Sequence, residues 1–217
     1  MNNWITPASN YKEARSGNYR LRRSEVLTGF HGTQDIDHLI YHDTKVPILI
    51  TRLEEFRNGE WRDWMVDDPA NYIAMVKYAR ESTGHVLTAG LGLCLVAHEL
   101  VKNDKVESIT VVECNEDVIY LTAKYLPKGI ELIHGDFWEF IKSSDLDYDT
   151  IIADIWASRN IFEQQEPFLT EIMPAFFMLR GRYPKAKLVF HGYPYISDIK
   201  LNNVSKGEKF LAPSGSK

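Results

Sequence analysis

Four short apolar runs in the middle of this chain, residues 86–89, 109–112, 130–133 and 150–153, each lead into a residue able to do chemistry. The first runs into Gly90-Leu91-Gly92. Two glycines there permit a tight turn and a close ligand approach, ahead of a helix N-terminus with free N–H groups. A strand-to-helix turn that holds no ligand has the same pattern. The second run stops at Glu113, twenty-three residues beyond Gly90. At that distance a carboxylate of a dinucleotide fold accepts from both hydroxyls of a ribose. The third leads to Gly135-Asp136-Phe137. Asp136 can accept from the exocyclic amine of an adenine with Phe137 packed on the base, or it can cap the helix that follows, and the two roles are compatible. The fourth delivers Asp154, then Ile155 and Trp156, which puts a carboxylate beside the pocket centre.

For these residues to meet, the runs must be parallel strands with helices between them. Residues 93–101 and 116–125 read as helices, 138–142 as a short one, and 187–190 as a fifth strand. A helical region over 160–179 is expected to break or kink at Pro167 and Pro174. Short β-branched runs alternating with helices give an α/β fold with a Rossmann-like, doubly wound parallel sheet, whose ligands bind outside the carboxyl ends of the strands. Ahead of it, residues 21–30, 36–42 and 46–52 suggest a small antiparallel β-hairpin block. Asp67-Asp68-Pro69 then starts a helix with Tyr72, Met75, Val76 and Ala79 on one face. The expected division is a β-rich region with its linking helix over 1–78, a nucleotide-binding domain over 79–200 and a tail over 201–217. Residues 1–19 and those after 199 read as weakly ordered.

Composition narrows the function. Lys and Arg number 25 against 30 Asp and Glu, a net charge of -5, which argues against a nucleic-acid partner. The one basic cluster, Arg20-Leu21-Arg22-Arg23, reads as a solvated strand edge rather than a phosphate-binding stripe. Two cysteines, Cys94 and Cys114, make no disulfide framework, so a reducing, cytoplasmic setting is expected. No signal pattern or membrane-spanning run is seen. His38 and His42 are four apart in a strand-like run without a ligand framework, so no metal is expected.

The segments 86–94, 111–115, 133–136 and 148–154 resemble successive motifs of the class I S-adenosylmethionine-dependent methyltransferases. More narrowly, they resemble the spermidine-synthase-like branch. The resemblance covers about 110 residues well and the preceding 60 loosely. It implies S-adenosyl-L-methionine as cofactor, Gly90 and Gly92 beside its methionine part, Glu113 on the ribose, and Asp136 with Phe137 at the adenine. Asp154 stands where that branch keeps the aspartate that helps deprotonate the attacking amine. The branch's second acid, three positions on, is Ala157 here, and its Tyr-His-Glu segment is replaced by Pro69-Ala70-Asn71-Tyr72. The third glycine of the loop is Cys94.

These departures direct the expectation to a methyltransferase acting on a small-molecule acceptor, with Asp154 as general base and Trp156 and Tyr193 lining the acceptor side. Tyr72, with Trp61 and Trp64, either caps the pocket or joins the hairpin block to the core. An aminopropyltransferase, or a lyase acting on S-adenosylmethionine, is the alternative that keeps the nucleoside; a non-catalytic assembly protein is the alternative that drops catalysis. A nicotinamide dehydrogenase is disfavoured by Leu95 at the third glycine position of the dinucleotide fingerprint. The 27 residues after 190 read as too few for the usual closing strands. Either the sheet is truncated at that edge or the hairpin block covers it, in a homodimer.

Overall fold

The computed structural model describes residues 4–26, 47–156 and 168–192. The expected strand at 36–42, the tail, His38, His42, Ala157, Pro167 and Tyr193 lie outside them. Two sheets make the core. The first is antiparallel, in the order β1 (Ala14–Ser16), β2 (Tyr19–Val26), β3 (Ile48–Arg57) and β4 (Glu60–Val66). Its inward residues alternate, Tyr19 and Leu21 on β2 and Ile48 and Ile50 on β3, until the pairing of β3 with β4 shifts between Leu53 and Glu54. β4 was not expected. It is returned along β3 by Asn58 and Gly59, both at positive φ (55° and 84°), the two-residue turn whose twist matches paired strands.

Residues 4–19 are also better ordered than expected. Thr6 caps a short 3-10 turn over Pro7–Asn10, and the Trp4 indole donates to the carbonyl of Asp67 at 2.8 Å. Buried Tyr11 stacks on Tyr125 at 3.7 Å and donates its hydroxyl to the carbonyl of Leu93 at 2.9 Å. The reason is long-range: these residues bury against the second sheet's helices, and local sequence carries no sign of that.

The second sheet is parallel, in the order β7 (Glu131–His134), β6 (Val106–Glu113), β5 (Gly84–Ala89), β8 (Thr150–Ala153) and β9 (Lys187–Phe190). This is the doubly wound topology that the alternation predicts. Strand parity sorts the core. Val86, Ile109, Val111 and Ile152 pack under α1 (Pro69–Arg80), α2 (Leu95–Leu100) and α3 (Glu116–Thr122). Leu87, Val112, Ile151 and Ala153 pack under α4 (Phe137–Ser143) and α5 (Met173–Arg182). Each buried aliphatic contributes about 1.5–3 kcal/mol.

α1 starts as expected, with Asp68 Oδ1 accepting from the Asn71 N–H at 2.9 Å. Its buried face is Ala70, Ala74, Met75, Tyr78 and Ala79, with Tyr72 and Val76 only half-buried. The division drawn between 78 and 79 falls inside this helix. Pro174 sits in the first turn of α5, where a π turn over Phe168–Ile172 gives way to the α-helix.

Among the described residues the hairpin sheet does not cover the β9 edge. It docks on the α2–α3 side, where Ser16 Oγ donates to Asp117 Oδ1 at 2.6 Å and Tyr19 and Leu21 join the core beneath α1–α3. Among the described residues β9 pairs with β8 alone.

Candidate functional site

Three alternate residues at positive φ, Gly90, Gly92 and Cys94, bend the chain between β5 and α2. Gly90 (φ 93°) donates its N–H to the carbonyl of Val112 at 2.8 Å, and a methyl group there would lie 2.8 Å from the backbone oxygen of Asp154. Gly92 (φ 49°) faces the sulfur of Met65, which leaves no room for a side chain. Cys94 (φ 57°) holds the third position despite its Cβ. It is fully buried, its thiol points at the carbonyl of Thr122, and burial pushes its pKa up to about 12. It is a core residue, inert as a nucleophile.

Glu113, 7% exposed, ties this loop to the next one. Its Oε2 accepts the Leu91 N–H at 2.9 Å and its Oε1 the Asn115 N–H at 2.8 Å. Each carboxylate oxygen keeps a second acceptor direction, enough for a ribose hydroxyl. Asp136 caps α4, with Oδ1 accepting from Trp138 at 2.8 Å and Glu139 at 2.9 Å, and it lines the same cleft. Phe137 is buried beside it, edge-on to Trp138. Asp154 is half-buried at the end of β8, and its carboxylate has no hydrogen-bond donor among the described residues.

These groups surround one cleft of about 280 Å³ between the two sheets. Gly90, Gly92, Glu113, Asp136, Phe137, Asp154 and Trp156 all line it, so the structure brings together most of the residues singled out from sequence. Trp156 stacks on Phe190 at 5.5 Å. Tyr72 is the correction. Its hydroxyl donates to Glu99 Oε1 at 2.6 Å on α2 and its ring meets Trp4, away from the cleft. Helical periodicity put it on a buried face but could not say which neighbour that face meets. The expected aromatic trio is dispersed: Trp61 packs on Phe56 under Arg20, while Trp64 lines the cleft edge-on to Tyr19. Arg20 itself pairs with Glu54 at 2.6 Å, as a strand-edge cation would.

Sequence reasoning missed the roof. Tyr19, Trp64 and Met65 reach the cleft from the hairpin sheet, and the one signal for them was the Asn58-Gly59 turn that creates β4. Met65 Sδ accepts the Leu93 N–H at 3.2 Å, so the roof is bonded to the glycine loop. Thr88 was also missed. It lines the cleft at 2% exposure, and its hydroxyl has no partner among the described residues. A buried hydroxyl left unpaired costs about 1–3 kcal/mol, which a bound polar ligand relieves. A glycine turn, a carboxylate at each of three strand ends, apolar walls and an orphaned hydroxyl fit a nucleoside with a small charged tail. Among the described residues no group of three His, Cys, Asp or Glu side chains gathers to hold a metal, and no helix is long and apolar enough to cross a membrane.

Comparison with known proteins bears on the chemistry. Residues 72–177 match the spermine/spermidine synthase domain. A polyamine aminopropyltransferase of Clostridium botulinum (strain Alaska E43 / Type E3) is 32% identical over 77 residues, covering 32% of this chain and 27% of that protein. A spermidine synthase of Dictyostelium discoideum is 25% identical over 163 residues, covering 65% of this chain and 57% of that protein. The solved spermidine synthase from Thermotoga maritima superposes with a TM-score of 0.39 at 13% identity, covering 66% of this chain and 47% of its own. The matched stretches thus span from about a quarter to little more than half of the length of these curated relatives. These matches overturn the expectation of methyl transfer. The family model whose match brackets Gly90, Glu113, Asp136 and Asp154 is that of the spermine/spermidine synthase domain, and the two curated relatives are named for polyamine chemistry. Ala157 lies outside the described residues, and the departures there and at residues 69–72 do not outweigh these matches.

Proposed function

We propose that this chain binds decarboxylated S-adenosylmethionine in the cleft between its two sheets and transfers the aminopropyl group to an amine. The observation that carries this reading is the spermine/spermidine synthase domain over residues 72–177, whose span contains the glycine turn and all three strand-end carboxylates. The loop supports the decarboxylated donor. A carboxylate on the donor's tail would seek free backbone N–H groups at the glycine turn, and the Leu93 N–H there is already engaged by the Met65 sulfur.

When bound, the donor supplies a sulfonium whose attached methylene carbons are electrophilic. The protein's part is alignment and proton handling. Glu113 fixes the ribose without losing its grip on Leu91 and Asn115. Asp136 and Phe137 take the adenine edge and face, and the Thr88 hydroxyl supplies a further polar contact. Asp154 holds the acceptor's ammonium near the reacting carbon and favours its approach by charge. Trp64 and Trp156 exclude water from the two sides of the cleft.

Calorimetric titration with decarboxylated S-adenosylmethionine, S-adenosylmethionine and methylthioadenosine tests the donor assignment. The decarboxylated donor should bind at least about tenfold more tightly than the carboxylated one, a difference of ~1.4 kcal/mol. Equal or reversed preference would contradict the reading.

A further inference from the structure

We propose that Thr88 recognises the donor's tail, its buried hydroxyl accepting a hydrogen bond from the terminal ammonium of the aminopropyl group. Resting on the aminopropyl-transfer reading above, this assignment names the ligand atom that the hydroxyl meets. Thr88 is the last residue but one of β5, the central strand of the parallel sheet. It stands opposite Val111 of β6 and Ile152 of β8. Val86, Val111 and Ile152 pack beneath α1–α3, and alternation puts the Thr88 side chain on that same face. Two residues further on, the flanking strands lead to Glu113 and Asp154. Thr88 therefore lies roughly 7 Å deeper along the strands than the two carboxylate residues on either side of it.

At that depth the cleft is lined by Thr88 with Met75 of α1, Leu95 of α2 and Ile152. Thr88 is 2% exposed, and its hydroxyl has no partner among the described residues. The cleft thus reaches below the strand ends into a space with aliphatic and thioether walls, where Thr88 supplies a hydroxyl. A slim chain ending in a polar group suits this space.

The order of the strands says which part of the donor that is. Across β7, β6, β5 and β8, the strand ends present Asp136, Glu113, the glycine turn and Asp154 in a row. With its adenine at Asp136 and its ribose at Glu113, the donor has its sulfur over the glycine turn, and the three-carbon tail continues from there. The turn offers the tail's ammonium no charged side chain, because Leu91, Leu93 and Cys94 are buried in the apolar core. An ammonium that gives up water must find acceptors. The Thr88 oxygen has lone pairs to give, and Glu113, Asp136 and Asp154 around the cleft supply negative potential. Held at its far end, the tail presents its first methylene carbon, the one attacked, to an acceptor beside Asp154.

The test compares the full chain with its Thr88→Val and Thr88→Ser variants. Calorimetry measures binding of decarboxylated S-adenosylmethionine and of methylthioadenosine, which shares the nucleoside and lacks the aminopropyl tail. Thr88→Val keeps the β-branched shape and removes the hydroxyl. Its affinity for the decarboxylated donor should fall about tenfold while that for methylthioadenosine stays unchanged. The ligand-free variant should melt several degrees higher, because an unpaired buried hydroxyl is gone. Thr88→Ser restores the hydroxyl and should recover most of the donor affinity. Unchanged donor affinity in Thr88→Val, or an equal loss for both ligands, overturns the assignment while leaving aminopropyl transfer standing. If the unsubstituted protein binds S-adenosylmethionine as tightly as the decarboxylated donor, the underlying reading fails and the assignment falls with it.

Discussion

Glu113 has two tasks, and one substitution separates them. Both of its oxygens accept backbone N–H groups, from Leu91 and from Asn115. Glu113→Gln keeps one acceptor and turns an amide donor toward the other N–H, which costs about 1–3 kcal/mol and should lower the melting temperature by several degrees. Losing the charged partner of a ribose should weaken donor binding roughly 10- to 100-fold, measured by calorimetry below the melting range. Unchanged affinity would mean that the ribose is held elsewhere. Asp67 makes a different prediction. It is fully buried, accepts the Thr6 hydroxyl and the Thr51 N–H, and is raised in pKa by burial despite those bonds. The folded state therefore keeps the proton where the unfolded chain, with a carboxylate pKa of about 3.9, has lost it. Stability contributed by this group is full below that value and declines as pH rises toward the folded-state pKa. Asp67→Asn should remove the slope, so that denaturant unfolding shows the variant gaining on the parent as pH rises through the window. Parallel curves would contradict this. At this scale Glu113 and Asp154 were legible because an uninterrupted apolar run leaves its first acidic residue at the carboxyl end. Thr88 was not, since a threonine within such a run looks like strand filler.

The glycine turn and β4 form one unit, and two substitutions distinguish their contacts. Gly90→Ala sets a methyl group against the Asp154 backbone oxygen, which cannot yield, at a φ that costs roughly 1–2 kcal/mol by itself. Gly92→Ala meets only the Met65 side chain. Both variants should lower stability and donor binding, and adding Met65→Ala should restore part of the stability of Gly92→Ala and none of that of Gly90→Ala in denaturant unfolding. Equal rescue of both would refute the contact that links loop and roof. The parallel strands and the helices between them could be read from the chain because their periods are clean and their turns short. Residues 60–66 were unreadable because two tryptophans and a methionine among charges have no clear alternation. Pro174 was legible as a discontinuity, and it falls where the π turn ends and α5 begins.

The arrangement of the two sheets is the part that local sequence could not supply. The hairpin sheet is held on α2 and α3 by Tyr11, Ser16 and their distant partners Leu93, Tyr125 and Asp117, none of which has a local pattern. The cleft exists only because these contacts bring Tyr19, Trp64 and Met65 over the strand ends. Ligand binding should accordingly slow hydrogen exchange in β4 and in the glycine loop together, with methylthioadenosine as the ligand. Protection confined to the loop would mean that the roof does not close on the nucleoside. The most direct test of the whole account is mass-spectrometric identification of the nucleoside product formed with an amine acceptor and each donor in turn. The account predicts methylthioadenosine from decarboxylated S-adenosylmethionine, with a matching gain of an aminopropyl group on the amine. Formation of S-adenosylhomocysteine from S-adenosylmethionine, with no methylthioadenosine from the decarboxylated donor, would contradict it.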